Sequence, residues 1–144
     1  MVKKANIESI NILVKLAIEL WPNHDNNELV EEFSHLVNND NVAFFIKYLD
    51  NEPIGFAQCQ LRYDYVEGTN SSPVGYLEGI YVKEKYRKHG YAKMLLEECE
   101  KWSKKKGCTE FASDCEIDNV DSLAFHMAMG FEESNRIICF NKKI

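Results

Sequence analysis

Six consecutive residues, Arg87-Lys88-His89-Gly90-Tyr91-Ala92, have the makings of an anion cradle. Arg87 and Lys88 supply charge, while Gly90 and Ala92 leave room for an anion to approach the backbone. The stretch separates an apolar run, GYLEGIYV (Gly75 to Val82), from an amphipathic one, Tyr91 to Lys106, whose apolar face is Leu95, Leu96, Cys99 and Trp102. With a strand before it and a helix after it, the turn sits at a helix N-terminus. There unpaired N–H groups and the positive end of the dipole suit a pyrophosphate. The patterns GxxxxGK[ST] and GxGxxG are both absent, which excludes a Walker loop and the dinucleotide fingerprint.

Two carboxylates stand out by position. Glu78 interrupts the apolar strand run, and Asp114 lies near the end of CTEFASDC (Cys108 to Cys115). A carboxylate so placed needs a partner, either a structural ion pair or a cationic ligand, unless it marks a solvated strand end. The cysteines are Cys59, Cys99, Cys108, Cys115 and Cys139, an odd number without a CxxC pair. That fits neither a disulfide framework nor a zinc site, and with four scattered histidines no metal is expected. The thiols read as reduced and mostly buried. Cys115 adjoins Asp114, but no histidine in the sequence is placed to activate it as a nucleophile.

The elements that must hold these groups follow from periodicity. Ile10, Leu13, Leu16, Ala17 and Leu20 give Ile7 to Leu20 a helical spacing that Pro22 ends. Asp25, Asn26 and Asn27 offer caps for a second helix with Leu29, Val30, Phe33, Leu36 and Val37 on one stripe. Val42 to Leu49 and Ile54 to Val66 read as a hairpin around Asp50-Asn51-Glu52-Pro53. A polar loop from Glu67 to Pro73 precedes the Gly75–Val82 strand. Gly107 stops the third helix, Cys108 to Cys115 is a strand, and Asp118/Asn119 cap a short helix ending at Gly130. Strands near Phe131 to Glu133 and Arg136 to Asn141 would close the chain. The whole is one mixed α/β domain, residues 1–144, a length at which a single core forms without staples.

The net charge is −6, which argues against general nucleic-acid binding and against docking on an anionic membrane. No apolar run approaches the roughly 18–20 residues that span a bilayer, and the N-terminus makes a poor signal peptide, so a cytoplasmic protein is expected. The charges are segregated. Leu16 to Ile46 carries six acids and no Lys or Arg, Lys83 to Lys106 carries nine Lys/Arg against four acids, and Gly107 to Asn135 carries seven acids and again no Lys or Arg.

Strand, RxxGxA, helix, a further strand and then Asn119 followed by Gly130-Phe131 resemble the GCN5-related N-acetyltransferase (GNAT) superfamily. LWP (Leu20 to Pro22), YDYVEGTNSSPVGYLEGIYV (Tyr63 to Val82) and CTEFASDCEIDNV (Cys108 to Val120) resemble more closely its aminoglycoside 6'-N-acetyltransferases. The resemblance implies a mainly antiparallel sheet with a splayed central parallel pair flanked by helices. It implies acetyl-CoA as co-substrate, its pantetheine arm against the backbone of Ile80, Tyr81 and Val82. Arg87, Lys88, His89, Gly90, Tyr91 and Ala92 would surround the pyrophosphate, and Asn119 would hydrogen-bond the same molecule. For the drug it implies Trp21, His24, Tyr65, Glu78, Asp114 and Asn135. Trp21 reads equally well as core packing, and His24 as a surface loop residue.

The expected reaction is direct attack of the drug's 6'-amine on the thioester, conferring resistance. An ammonium must first lose a proton, and a carboxylate can hold it and accept that proton. Asp114 is the expected base, with Glu78 orienting the amine or acting as the base itself. Many superfamily members have a tyrosine, as acid for the leaving thiolate, four residues before Gly-Phe; here the position is His126. The subgroup also implies a homodimer. A different amine such as a polyamine or a protein N-terminus, and a non-catalytic acyl-CoA sensor, are the competing readings; a sensor has no use for the carboxylate pair.

Overall fold

The computed structural model describes residues 1–144. In chain order the elements are β1 (Val2–Lys4), α1 (Ile10–Leu20), α2 (Asn26–Leu36), β2 (Val42–Leu49), β3 (Glu52–Arg62), β4 (Val74–Val82), α3 (Tyr91–Lys105), β5 (Phe111–Ala112) and α4 (Val120–Ala128). The strands form one sheet in the order β1-β2-β3-β4-β5; the first three pairings are antiparallel and β4–β5 is parallel.

Alternation along β2 divides the core in two. Val42, Phe44 and Ile46 pack with Phe56, Leu13, Leu16, Ala17, Leu29 and Phe33 beneath α1 and α2. Ala43 and Phe45 pack with Ala57, Cys59, Leu61, Leu95, Leu96, Cys99 and Trp102 beneath α3. Phe33, Phe44 and Phe56 are fully buried, each worth about 1.5–3 kcal/mol of transfer free energy. The caps are those the sequence offers. Asp25 accepts from the Glu28 N–H at the start of α2, and Asn119 from the Ser122 N–H at the start of α4.

Several expected boundaries shift. Ile7–Ser9 is a 3-10 turn capped by Asn6, so the first helix proper begins at Ile10. Val2–Lys4 joins β2 as an edge strand that its lysine-rich sequence does not announce. The long hairpin strand stops at Arg62 rather than Val66, and the Cys108–Cys115 strand shrinks to Phe111–Ala112. Residues 131–144 form neither helix nor strand, contrary to the closing hairpin expected there. With β5 only two residues long, the chain offers that segment no ladder to extend, and the parallel pair stands at the open edge of the sheet.

Two irregularities in β4 place the site. Gln58 opposes Gly79 while Cys59 opposes Leu77, so Glu78 is the extra residue of a bulge. Strict alternation would turn Glu78 toward α3; the bulge turns it instead to the α1–α2 side. Secondly, β4 pairs with β5 only at Gly75 and Tyr76. From Leu77 to Val82 that edge of β4 has no strand beside it.

Candidate active site

On the α1–α2 side of β4, Trp21, His24, Leu29, Glu32, Phe33, Gln58 and Glu78 line a cavity of about 200 Å³. Trp21, the residue that ends α1, lies flat enough on β4 that a Cβ at Gly79 would come within 2.7 Å of its Cη2 and Cζ2. A glycine beside Glu78 is thus what lets the indole reach the cavity. Its ring also meets Phe56 edge-on at 5.9 Å and lies 6.0 Å from the exposed His24 ring. Trp21 is therefore both core and wall, which joins the two readings its sequence position allows.

Glu78 is held by Arg62, whose Nε and Nη2 donate to Glu78 Oε1 at 3.2 and 2.9 Å. The Arg62 guanidinium stacks on the Tyr76 ring at 3.4 Å, and the Tyr76 hydroxyl donates to Asp114 Oδ2. Burial, reinforced by that bond, pushes the Tyr76 phenol well above its ordinary value, so it stays a donor at neutral pH. Asp114 is exposed, lies just past the end of β5 and does not line the cavity; the Tyr76 hydroxyl is what ties it to Glu78 and Arg62. Tyr65 is 77 % exposed in the loop after β3, and Asn135 donates to Glu67 Oε1 at 2.8 Å; neither lines the cavity. Around the cavity the other acids are Glu32 and, nearby on α1, Glu19. Glu19 accepts from the Tyr81 hydroxyl at 2.5 Å, and burial with this bond pushes the Tyr81 phenol up to about 12.

At the other end of the open β4 edge lies the basic turn. Lys88 and Gly90 have φ values of 65° and 80°, and Gly90 caps α3 with no side-chain hydrogen bond to its first N–H groups. A Cβ at Gly90 would meet nothing within 4 Å, so the glycine serves backbone conformation, not space. Arg87 Nε donates to the Val82 carbonyl at 2.8 Å, which fixes the end of β4 against the turn. His89 and Tyr91 rings lie 5.9 Å apart, and Tyr91 and Ala92 open the first turn of α3. Ile80 and Val82 point into the α3-side core and Tyr81 into the α1–α2 side, so their backbone is what faces the open edge. Asn119 caps α4 through Oδ1, which leaves its amide NH2 free. The unpaired edge of β4, with the basic turn and the uncapped start of α3 beyond its C-terminal end, presents donors for an extended molecule with an anionic head such as acetyl-CoA.

His126 stands on α4. Its Nδ1 lies 2.7 Å from the Ser122 carbonyl, which can only accept, so Nδ1 carries the proton. In the neutral ring Nε2 then accepts from Ser113 Oγ at 2.7 Å. Only the imidazolium form would carry a proton on Nε2 to pass to Ser113, immediately before Asp114.

Sequence reasoning passed over Arg62, Tyr76, Gln58, Glu32, Glu19 and Ser113. Arg62 carries a legible signal: it is the only Lys or Arg between Lys47 and Lys83, in the strand that pairs with the one holding Glu78. Gln58 is 7 % exposed, and its amide makes no hydrogen bond within the protein although it lines the cavity.

Residues 10–131 match the model of the acetyltransferase (GNAT) family. The chain is 38 % identical to an aminoglycoside N(6')-acetyltransferase type 1 of Acinetobacter haemolyticus over 99 % of its own length and 98 % of the relative's. It is 41 % identical to the protein of that name from Salmonella typhimurium, covering 87 % of this chain and 86 % of the other. Among solved structures it superposes with a TM-score of 0.97 on AAC(6')-Iy in complex with the bisubstrate analogue CoA-S-monomethyl-acetylneamine, at 37 % identity, covering 100 % of this chain and 98 % of that one. The chain belongs to the GNAT family of acetyltransferases.

Proposed function

We propose that the protein transfers the acetyl group of acetyl-CoA to the 6'-amino group of aminoglycoside antibiotics. The observation that carries this reading is the unpaired edge of β4 from Leu77 to Val82, which leads to the uncapped start of α3, together with a cavity on the α1–α2 face of the same strand lined by Trp21, Glu32 and Glu78. Relatives of 38–41 % identity bear the name of that activity, and the AAC(6')-Iy complex holds CoA and an aminoglycoside fragment in one molecule.

In this reading the first N–H groups of α3, with Arg87, Lys88, His89, Gly90, Tyr91 and Ala92, hold the pyrophosphate. Backbone groups of Ile80, Tyr81 and Val82 pair with the pantetheine arm, and Asn119 donates to it. N–H groups along the open edge polarise the thioester carbonyl, as an oxyanion hole does. Trp21, His24, Tyr65, Glu78, Asp114 and Asn135 receive the drug. Asp114 accepts a proton from the 6'-ammonium. The amine nitrogen bonds to the acetyl carbon as the carbon–sulfur bond breaks, and His126, as the imidazolium, supplies the proton for the leaving thiolate, directly or by way of Ser113. A polycationic substrate is drawn by the acidic stretches Leu16–Ile46 and Gly107–Asn135. Cellular resistance is the consequence of this activity.

The protein acts as a homodimer in this reading. Ile137, Ile138 and Phe140 are 67 %, 80 % and 89 % exposed in a segment with no strand of its own chain to join. A second copy would cover them, and the molar mass from light scattering should be twice that of the chain. A cytoplasmic site of action agrees with three buried, unpaired thiols, Cys59, Cys99 and Cys108. No helix is long and apolar enough to cross a membrane.

The test is thiol release from acetyl-CoA by purified protein across a panel of aminoglycosides and polyamines. Turnover with drugs that carry a free 6'-amine is expected. Turnover with spermidine and none with those drugs would overturn the reading.

A further inference from the structure

We propose that Arg62 and Tyr76 form a bracket that positions the two site carboxylates and divides their labour, an inference that rests on the transfer reaction above. The four side chains make one continuous chain of contacts. Glu78 Oε1 takes both N–H groups from Arg62, the Arg62 guanidinium lies 3.4 Å from the centre of the Tyr76 ring, and the Tyr76 hydroxyl donates to Asp114 Oδ2. Each carboxylate is gripped by a single oxygen. Glu78 Oε2 and Asp114 Oδ1 have no partner in the protein and are left for the substrate.

Geometry explains why these residues meet. On β4 the bulge at Glu78 keeps Tyr76 and Glu78 on the α1–α2 side. On β3, Arg62 opposes Val74, two residues from Tyr76, a diagonal distance that a long side chain spans across an antiparallel pair. Stacking on the ring holds the guanidinium flat, and the same ring carries the hydroxyl that fixes Asp114. Moving Arg62 therefore disturbs both carboxylates.

The charges assign the roles. Arg62 neutralises Glu78, so Glu78 is an oriented hydrogen-bond acceptor for an amino or hydroxyl group. Asp114 has a neutral donor only, and it is the carboxylate left to balance the reacting ammonium. Arg62 and Tyr76 are positioning residues for this pair and do not themselves exchange the proton.

The test compares Tyr76→Phe, which keeps the stacked ring and deletes the hydroxyl, with Arg62→Lys, which keeps the charge and deletes the planar fork. Both are measured with acetyl-CoA and a 6'-amino aminoglycoside, alongside thermal melts. Tyr76→Phe should lower kcat about tenfold to a hundredfold, the range for losing one hydrogen bond to a charged group, with the KM for acetyl-CoA unchanged. In an Asp114→Asn background the same substitution should cost nothing more, because Tyr76 acts through Asp114. Arg62→Lys should raise the KM for the aminoglycoside and leave that for acetyl-CoA alone. The bracket is overturned if both variants keep kcat and KM within twofold of the parent, or if Tyr76→Phe costs as much in the Asp114→Asn background as in the parent. Parent protein that binds acetyl-CoA yet transfers nothing to the drug removes the underlying reaction, and the bracket with it.

Discussion

Gly79→Ala is a one-methyl probe of how Trp21 is seated. The added Cβ would stand 2.7 Å from two indole carbons and 3.4 Å from Leu20 Cδ2. The Leu20 contact is at ordinary van der Waals distance; the indole contacts lie far inside it. The ring must therefore slide, and an insertion of this kind costs about 1–3 kcal/mol. For a chain of this size each kcal/mol lowers Tm by roughly 2–4 °C. Truncating Trp21 removes the obstacle, and in a Trp21→Ala background the sign should reverse. Alanine at a strand position is then about 0.5–1 kcal/mol better than glycine. A double-mutant cycle by urea unfolding reads the coupling directly, and it should amount to at least 1 kcal/mol. The KM for the aminoglycoside should rise in Gly79→Ala while that for acetyl-CoA stays fixed. An equal cost of Gly79→Ala with and without the indole would refute the placement of Trp21 against β4 and, with it, the wall of the cavity beside Glu78.

Three further outcomes are expected. Asp114→Asn should lower turnover about 10²–10⁴-fold, the range for losing a general base, with acetyl-CoA binding intact by calorimetry; full activity removes Asp114 from the chemistry. Gly90→Ala meets no steric obstacle, so its effect is the cost of a left-handed backbone, about 1–2 kcal/mol, divided between unfolding free energy and acetyl-CoA affinity. Gly90→Asn should recover part of that loss, and a Gly90→Ala protein unchanged in both measurements would mean that the turn does not need the conformation. The KM for a polycationic drug should rise with ionic strength, and a salt-independent drug KM would leave the acidic stretches without a part in capture.

Local signals carried most of the architecture because they act within one element. The apolar stripes of α1, α2 and α3, the Asp25 and Asn119 caps and the stop at Gly107 are all short-range chemistry. What depended on pairing was harder to read. Val2–Lys4 becomes a strand only because β2 has a free edge, and RIICFN (Arg136 to Asn141), rich in strand formers, finds no edge to join. The candidate site divides the same way. Glu78 and Asp114 were visible as carboxylates in apolar company, but the bulge that aims Glu78 is a matter of register between β3 and β4. Arg62 and Tyr76 lie sixteen and thirty-eight residues from the carboxylates they bind, so nothing in local sequence joins them. The charge alternation gains a spatial meaning in the fold. The basic stretch contains the turn at the start of α3, while Trp21, His24 and Glu32 from the first acidic stretch line the cavity on the α1–α2 face of β4.

The central claim is tested most directly by a matched pair of aminoglycosides that differ only at the 6' position, amine against hydroxyl, each incubated with the protein and acetyl-CoA. The account predicts release of one CoA thiol per drug molecule from the 6'-amine, with the acetyl group found on that nitrogen by mass spectrometry and NMR, and no release from the 6'-hydroxyl. Equal acetylation of both drugs, or of neither while acetyl-CoA binds normally, would contradict it.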